Sequence, residues 1–227
     1  MLKKTMSSFR LAALGLAVSG SLMTAQHAAA EVEVAASVAV SSMYFWRGQS
    51  LGSGSPAVSG DINVSTAGAY AGIWGSSGDD ATGNEYDLYA GYGGEIEGFS
   101  YDISVWNYNY PNDPSGQLDT FGALSEVVVS LGFGPVNFTY YDNVAGGTGY
   151  EYYTLGAGMG SFSAKLGYSD PDGDDNNYTH LDLTYAYNDN LSFTLSKLDN
   201  EELDEAEGGV NEDTLFVVSY SLPIDLK

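Results

Sequence analysis

The sequence contains no cysteine, so neither a disulfide nor a thiolate metal ligand can hold its fold. Basic residues are scarce as well, seven against thirty acids, for a net charge of −23. Binding to nucleic acid or to anionic lipid needs clustered Lys and Arg, which the body of this chain does not provide. Proline occurs only six times, yet few windows place apolar residues at helical spacing. Beyond the first thirty residues no apolar run approaches the about 18 residues that a membrane-crossing helix requires. Acidity of this degree is common in disordered chains, but those lack aromatic and β-branched residues. Here Tyr numbers 18, Phe 9 and Trp 3, so the chain has the means to fold.

The N-terminus reads as an export signal. Lys3, Lys4 and Arg10 precede an apolar run from Leu11 to Met23, and Ala28-Ala29-Ala30 supplies small residues just before Glu31. This pattern predicts a secretory signal peptide over residues 1–30, cleaved after Ala30, with one domain over 31–227. Three of the seven basic residues and none of the thirty acids lie in that segment, so processing leaves four bases, thirty acids and a net charge of −26.

What dominates the rest is alternation with period two. Between Val32 and Ser41 the even positions are apolar and the odd ones small or polar; Val58, Ile62 and Val64 oppose Ser59, Asp61 and Asn63. Tyr86, Leu88, Ala90 and Tyr92 oppose Glu85, Asp87, Tyr89 and Gly91, and Leu181, Leu183 and Tyr185 oppose His180, Asp182 and Thr184. A strand sends successive side chains to opposite faces, so each segment has one apolar and one polar side. The pattern predicts about twelve strands, near 32–46, 57–66, 69–75, 84–95, 98–110, 118–131, 135–142, 150–160, 161–169, 177–188, 190–198 and 213–222, with a short tail over 223–227.

The connections between these strands alternate in length. Long, mostly acidic ones (47–56, 76–83, 111–117, 143–149, 170–176, 199–212) take turns with short ones at Ala67-Gly68, Ile96-Glu97, Gly132–Gly134, Gly160-Ser161 and Asp189. Short periplasmic turns, long extracellular loops and an even strand number mark an antiparallel transmembrane β-barrel of the outer membrane. The fold class expected is therefore all-β, with lipid covering the apolar faces and aromatics gathered at the two interfaces. Tyr44-Phe45-Trp46, Trp106, Tyr108, Tyr110, Tyr140-Tyr141, Tyr150 and Tyr152-Tyr153 are expected at the extracellular strand ends.

The motifs Tyr44-Phe45-Trp46-Arg47-Gly48-Gln49-Ser50, Pro56-Ala57-Val58, Gly68-Ala69-Tyr70-Ala71-Gly72-Ile73-Trp74-Gly75-Ser76, Asp87-Leu88-Tyr89-Ala90-Gly91-Tyr92 and Tyr108-Asn109-Tyr110-Pro111 resemble the TorF-type porin family of proteobacterial outer membranes. They cover the first half of the processed chain; the second half follows by pattern alone. The resemblance implies a barrel and a pore and carries over no solute or catalytic residue. One departure stands out, since outer-membrane barrels usually end on an aromatic residue, whereas Pro223-Ile224-Asp225-Leu226-Lys227 follows Leu222 here. Either a short periplasmic tail is tolerated or the assembly signal is internal.

By strand parity the lumen should hold Glu33, Asp61, Glu85, Asp87, Asp102, Glu126 and Asp182, with Arg47, Lys165 and His180 among them. Rings of carboxylates favour cations, and a low-dielectric wall focuses their field. The expectation is a passive porin-like channel for small solutes with a cation preference. Its surroundings would be outer-membrane lipid, lipopolysaccharide and the barrel-assembly machinery, with no cofactor and no nucleic acid. Arg47, expected inward at the extracellular end of the first strand, either lines a constriction opposite acids such as Glu85 or staples that strand to a neighbour. Asp170, Asp172, Asp174 and Asp175 suggest loose calcium binding, although Asp175 and Leu181 occupy places where an EF-hand needs Gly and Glu. Two competing readings are a plugged structural or adhesion barrel, to which inward Tyr89, Trp106 and Tyr141 lend weight, and an outer-membrane hydrolase using His180 beside Asp182.

Overall fold

The structure, a computed structural model, describes residues 31–79, 81–147, 149–171, 177–200 and 211–226; the predicted signal segment lies outside them. Wherever the sequence alternates, the backbone forms strand. The elements are β1 (Glu33–Ser41), β2 (Phe45–Trp46), β3 (Gln49–Ser50), β4 (Ala57–Thr66), β5 (Ala69–Asp79), β6 (Gly83–Ile96), β7 (Phe99–Asn109), β8 (Leu124–Phe133), β9 (Val136–Ala145), β10 (Glu151–Met159), β11 (Phe162–Asp170), β12 (Tyr178–Ala186), β13 (Leu191–Asp199) and β14 (Leu215–Ile224). Twelve of these form one closed antiparallel barrel, each strand paired with its sequence neighbour. Closure is made by β1, which pairs with β4 from Glu33↔Ser65 to Ser41↔Ala57 and with β14 from Ala36↔Ile224 to Ser41↔Ser219.

The faces divide as alternation requires. Val58 (60% exposed), Ile62 (52%), Ile103 (53%), Leu155 (53%) and Phe216 (57%) stand on the outside, while Ser59, Asn63, Ser104, Thr154, Thr194 and Ser219 are buried within. The molecule is thus inverted relative to a water-soluble sandwich, with most of its Val, Ile and Leu side chains outward. Both ends of the described chain lie at the short-turn end, where β1 starts and β14 finishes.

Two of the short turns explain themselves locally. Ala67-Gly68 has φ values of 50° and 89°, and Glu97-Gly98 has 53° and 82°. Positive φ at both central residues is the type I′ hairpin, whose twist matches that of the flanking strands.

The structure departs from the sequence expectations in four places. The first strand stops at Ser41 instead of reaching residue 46: Ala57, where β4 begins, pairs with Ser41, and after Ser42 the chain leaves the wall although β14 runs on to Leu215. Residues 45–50 form the separate β2–β3 hairpin. β5 runs on to Asp79 through a bulge between Ser76 and Asp79, so that strand replaces most of the long loop expected over 76–83. β8 starts at Leu124 rather than near residue 118, since the preceding stretch is a loop organised by Asp113. Finally, β14 extends through Pro223 to Ile224, beyond the expected end at Leu222. Pro223 pairs with Ser37 of β1 past the end of β13, so its missing N–H deprives no ladder partner.

The Asp113 carboxylate accepts from the Ser115 hydroxyl (2.6 Å) and from the backbone N–H groups of Ser115 (3.1 Å), Gln117 (2.9 Å) and Leu118 (2.9 Å). These donors, the Ser115 hydroxyl foremost, hold its pKa down at about 2. The folded value lies below the unfolded value of about 3.9. The loop order that Asp113 contributes is therefore complete above that pH and disappears as pH falls through about 2. A carboxyl-carbon NMR titration should find a midpoint near 2, and in an Asp113→Asn variant the amides of Ser115 and Leu118 should lose this transition. Replacing Ala67 or Glu97 with Gly should stabilise the barrel by about 1 kcal/mol each in urea titrations in micelles, because an L-residue in the left-handed region is strained by about that much.

Candidate functional site: the lumen and its inserted hairpin

A twelve-stranded cylinder leaves interior space that side chains must fill or water must occupy. Toward the short-turn end the wall is lined by small residues crossed by tyrosines. Tyr70 lies over Gly91 of its partner strand and Tyr89 over Gly72, and in each case a Cβ on the glycine would collide with the tyrosine hydroxyl end. These phenols reach carboxylates, Tyr70 donating to Asp102 (2.8 Å) and Tyr89 to Asp61 (2.6 Å), while Asn63 donates to the Tyr89 hydroxyl (3.2 Å). Asp61 and Asp102 are half-buried, and Glu33 is exposed at the barrel's end.

Midway, Asp182 gathers three donors. His180 Nδ1 lies 2.9 Å away, Lys165 Nζ 3.0 Å away, and the Ser196 hydroxyl donates at 2.7 Å. His180 Nε2 meets the Tyr152 hydroxyl at 2.7 Å, and the two rings stack nearly parallel. A serine hydrolase would need its hydroxyl at that nitrogen, whereas Ser196 bonds the acid. His180 is 1% exposed.

Toward the long-loop end the lumen is filled by a segment absent from the expected wall. After Ser42, whose N–H donates to the Val218 carbonyl, the chain leaves the barrel and forms the β2–β3 hairpin inside it. Its turn is Arg47-Gly48, with φ values of 48° and 85°, again the type I′ geometry. Gly48 is required twice over, for the turn and for its approach to His180, whose Cγ would lie 2.6 Å from a Cβ there. Tyr44, Phe45 and Arg47 are all buried.

Arg47 is the pivot. Its Nη2 donates to both oxygens of Glu126 at 2.8 and 3.0 Å. Its guanidinium carbon lies 4.5 Å from the ring centroid of Trp46, 4.7 Å from Tyr141, 4.9 Å from Tyr150 and 4.5 Å from Tyr152. Tyr108 also donates to Glu126 (2.7 Å), and Glu85 accepts from Tyr44 and from Tyr110 (2.7 Å). Asp87 is 1% exposed and lies against the Glu85 carboxyl on the same strand, within electrostatic reach of Glu126. Glu126 is the carboxylate that bonds the guanidinium. Behind them, Tyr89, Trp106, Tyr108, Val128, Tyr141 and Tyr152 form one buried cluster, with Tyr89 stacked on Trp106 at 4.1 Å.

Against this geometry the known proteins add the following. The family model described as a bacterial protein of unknown function, Gcw_chp, matches residues 25–197. The chain belongs to the Gcw_chp family. Among solved structures, a triple mutant of the Rh. blastica porin is similar to this Gcw_chp chain at 14% identity over 86% of it and 100% of the porin, with a TM-score of 0.41. Acinetobacter baumannii OccAB3 is similar at 10% identity over 75% of this chain and 56% of its own length, with a TM-score of 0.38. No curated protein matches the sequence.

For the Gcw_chp chain, the residues singled out by parity fall as follows. Asp61, Glu85, Asp87, Asp102, Glu126, Lys165, His180 and Asp182 share the inward face of their strands with the buried serines and threonines, and Arg47 reaches the same space from the hairpin. Arg47 is not on the first strand, and its carboxylate partner is Glu126 rather than Glu85. The aromatic belt is corrected as well. Tyr44, Phe45, Trp106, Tyr108, Tyr141 and Tyr152 are inside, whereas Tyr140, Tyr153 and Tyr168 line up ring against ring on the outer face, with Tyr140 and Tyr153 donating to Glu151. Of the acids suggested for calcium, Asp172, Asp174 and Asp175 lie outside the described residues and Asp170 ends β11; no group among the described residues has metal-binding geometry. Sequence reading missed the hairpin. The Arg47-Gly48 pair, a turn dipeptide between two short segments, is the signal in the sequence that could have found it.

Replacing Asp182 with Asn should destabilise the barrel by about 3 kcal/mol, measured by urea unfolding in micelles, because Lys165 is left without its counter-charge and His180 and Ser196 share a weaker acceptor.

Proposed function

We propose that the chain is an outer-membrane channel for passive diffusion of small solutes, with a preference for cations. The observation that supports this is the inversion of the barrel: large apolar side chains cover the outside, while serines, threonines, asparagines and carboxylates line the inside. A closed ladder with an apolar outer surface suits hydrocarbon, where every backbone group must be paired internally. On this reading the short turns and both termini are periplasmic, the long loops are extracellular, and lipid with lipopolysaccharide surrounds the wall. Residues 1–30 serve as the export signal.

On this reading the extracellular half is narrowed by the hairpin, and Asp61 and Asp102 are half-exposed toward the periplasmic end. Seven inward acids, Glu33, Asp61, Glu85, Asp87, Asp102, Glu126 and Asp182, face Arg47 and Lys165, so the potential along the axis is negative and attracts cations.

A second reading, a plugged structural barrel, has a specific observation in its favour. Leu198 is 0% and His180 1% exposed, and the aromatic cluster occupies the same level as the hairpin. Two measurements separate the readings. Reversal potentials in planar bilayers under a KCl gradient should shift toward the potassium equilibrium potential, and an anion-selective value would overturn the cation preference. Liposome swelling with sugars of graded size should show flux for the smallest solutes, and its complete absence favours the structural barrel.

A further inference from the structure

The seat of Arg47 has the composition of a cation receptor. Of the four rings around the guanidinium, Tyr141, Tyr150 and Tyr152 belong to the barrel wall and the loop leading into it, and Trp46 alone belongs to the hairpin. Glu126, on β8, supplies the carboxylate. Aromatic faces combined with a desolvated carboxylate recognise guanidinium and alkylammonium groups, because the ring quadrupole and the anion attract the same diffuse cation.

The seat also has more polarity than Arg47 uses. Arg47 Nη1 and the Tyr150 hydroxyl are sealed from solvent without hydrogen-bond partners. Such groups are costly to leave unsatisfied, and in native proteins they call for a reason.

The occupant, finally, sits on a segment that forms no ladder with the barrel wall. Its side chains reach that wall at the Arg47–Glu126 pair, at Tyr44 on Glu85 and at Gln49 on the Tyr178 hydroxyl (2.8 Å). Its turn is held in the left-handed region at Arg47, and its return to the wall runs through the exposed Ser53-Gly54-Ser55.

We infer that the extracellular half of the lumen is a binding site for guanidinium and alkylammonium cations, which Arg47 occupies from within the same chain and which an external cation of that class takes over when the hairpin moves out. This rests on the channel reading, whose solute class it names, but its test does not depend on flux.

The test uses the folded full-length barrel in detergent, with folding checked by heat-modifiable electrophoretic mobility. Methylguanidinium chloride is the probe, with methylammonium chloride as the second cation and sodium chloride at equal ionic strength as control. Titration calorimetry of Arg47→Ala should show saturable methylguanidinium binding about tenfold or more tighter than in the wild type, where Arg47 competes, and tighter than in the double variant Arg47→Ala with Glu126→Gln. Methylammonium should bind more weakly than methylguanidinium, and sodium should show no saturable binding. In the wild type, methylguanidinium should raise hydrogen exchange across residues 44–51. If Arg47→Ala fails to fold, Arg47→Gln keeps most of the side-chain volume and serves in its place. Equal heats for methylguanidinium and sodium, or binding indifferent to Glu126→Gln, would overturn the inference and leave Arg47 a structural tie. Absence of conductance in every variant would overturn the channel reading while leaving a positive calorimetric result intact.

Discussion

Everything in this molecule depends on the ring of backbone hydrogen bonds being closed. β1 bonds both β4 and β14, so no strand of the barrel is left with an unpaired edge. Closure frees the side chains from the task of protecting the backbone. Residues of one parity can then face outward as a continuous apolar surface, and residues of the other can be polar without breaking up a core. Had β1 failed to meet β14, the exposed ladder groups would cost several kcal/mol each in hydrocarbon. The long extension of β14 through Pro223 follows from the same requirement, since β1 needs a partner as far as Ala36.

Closure creates a second problem, which is volume. The wall meets it with cross-strand tyrosine and glycine pairs near the short-turn end. The aromatic rings lie flat over residues with no side chain, a device that also shields the glycine backbone. Toward the other end the tyrosines are too crowded for this, and the space is taken by the hairpin. The phenols therefore do two jobs. Their rings fill the barrel, and their hydroxyls reach Asp61, Asp102, Glu85 and Glu126, so that carboxylates in a narrow lumen keep hydrogen-bond donors.

The sequence made the wall legible and left the contents obscure, for a physical reason. Alternation is a local property, so Tyr86–Tyr92 or Leu181–Tyr185 reports its own two faces with no knowledge of the rest of the chain. Turn length is local too, and the five short connections stood out. Glycine interrupted the alternation over residues 69–75 and 150–160, yet both segments became strands, because their partners supplied the pairing that propensity did not. The hairpin was hidden because Tyr44–Arg47 extends an alternating segment, and only the long-range meeting of Arg47 with Glu126, 79 residues apart, shows that the chain has turned inward. Aromatics at strand ends were assigned together to the interface for a similar reason. Parity alone sends Tyr140 outward and Tyr141 inward, and the structure follows parity rather than the grouping.

The charge inside the barrel then acquires a direction. A lumen made only of Ser, Thr and Asn would be wetted and indifferent to ion sign, and a lumen of balanced ion pairs would be rigid and nearly neutral. This one has its two cations at different levels. Lys165 sits with Asp182 and His180 in a compact, satisfied group, which reads as structure. Arg47 sits against Glu126 on a segment that the barrel does not need for closure, in a backbone conformation that an arginine adopts only under constraint from its surroundings. A staple meant only to strengthen the wall would be expected to join two strands of that wall, as Lys165 and Asp182 do. Placing this cation on the hairpin instead ties the electrostatics of the long-loop half to the hairpin's position: Glu126 is compensated with Arg47 in its seat and loses its counter-charge without it.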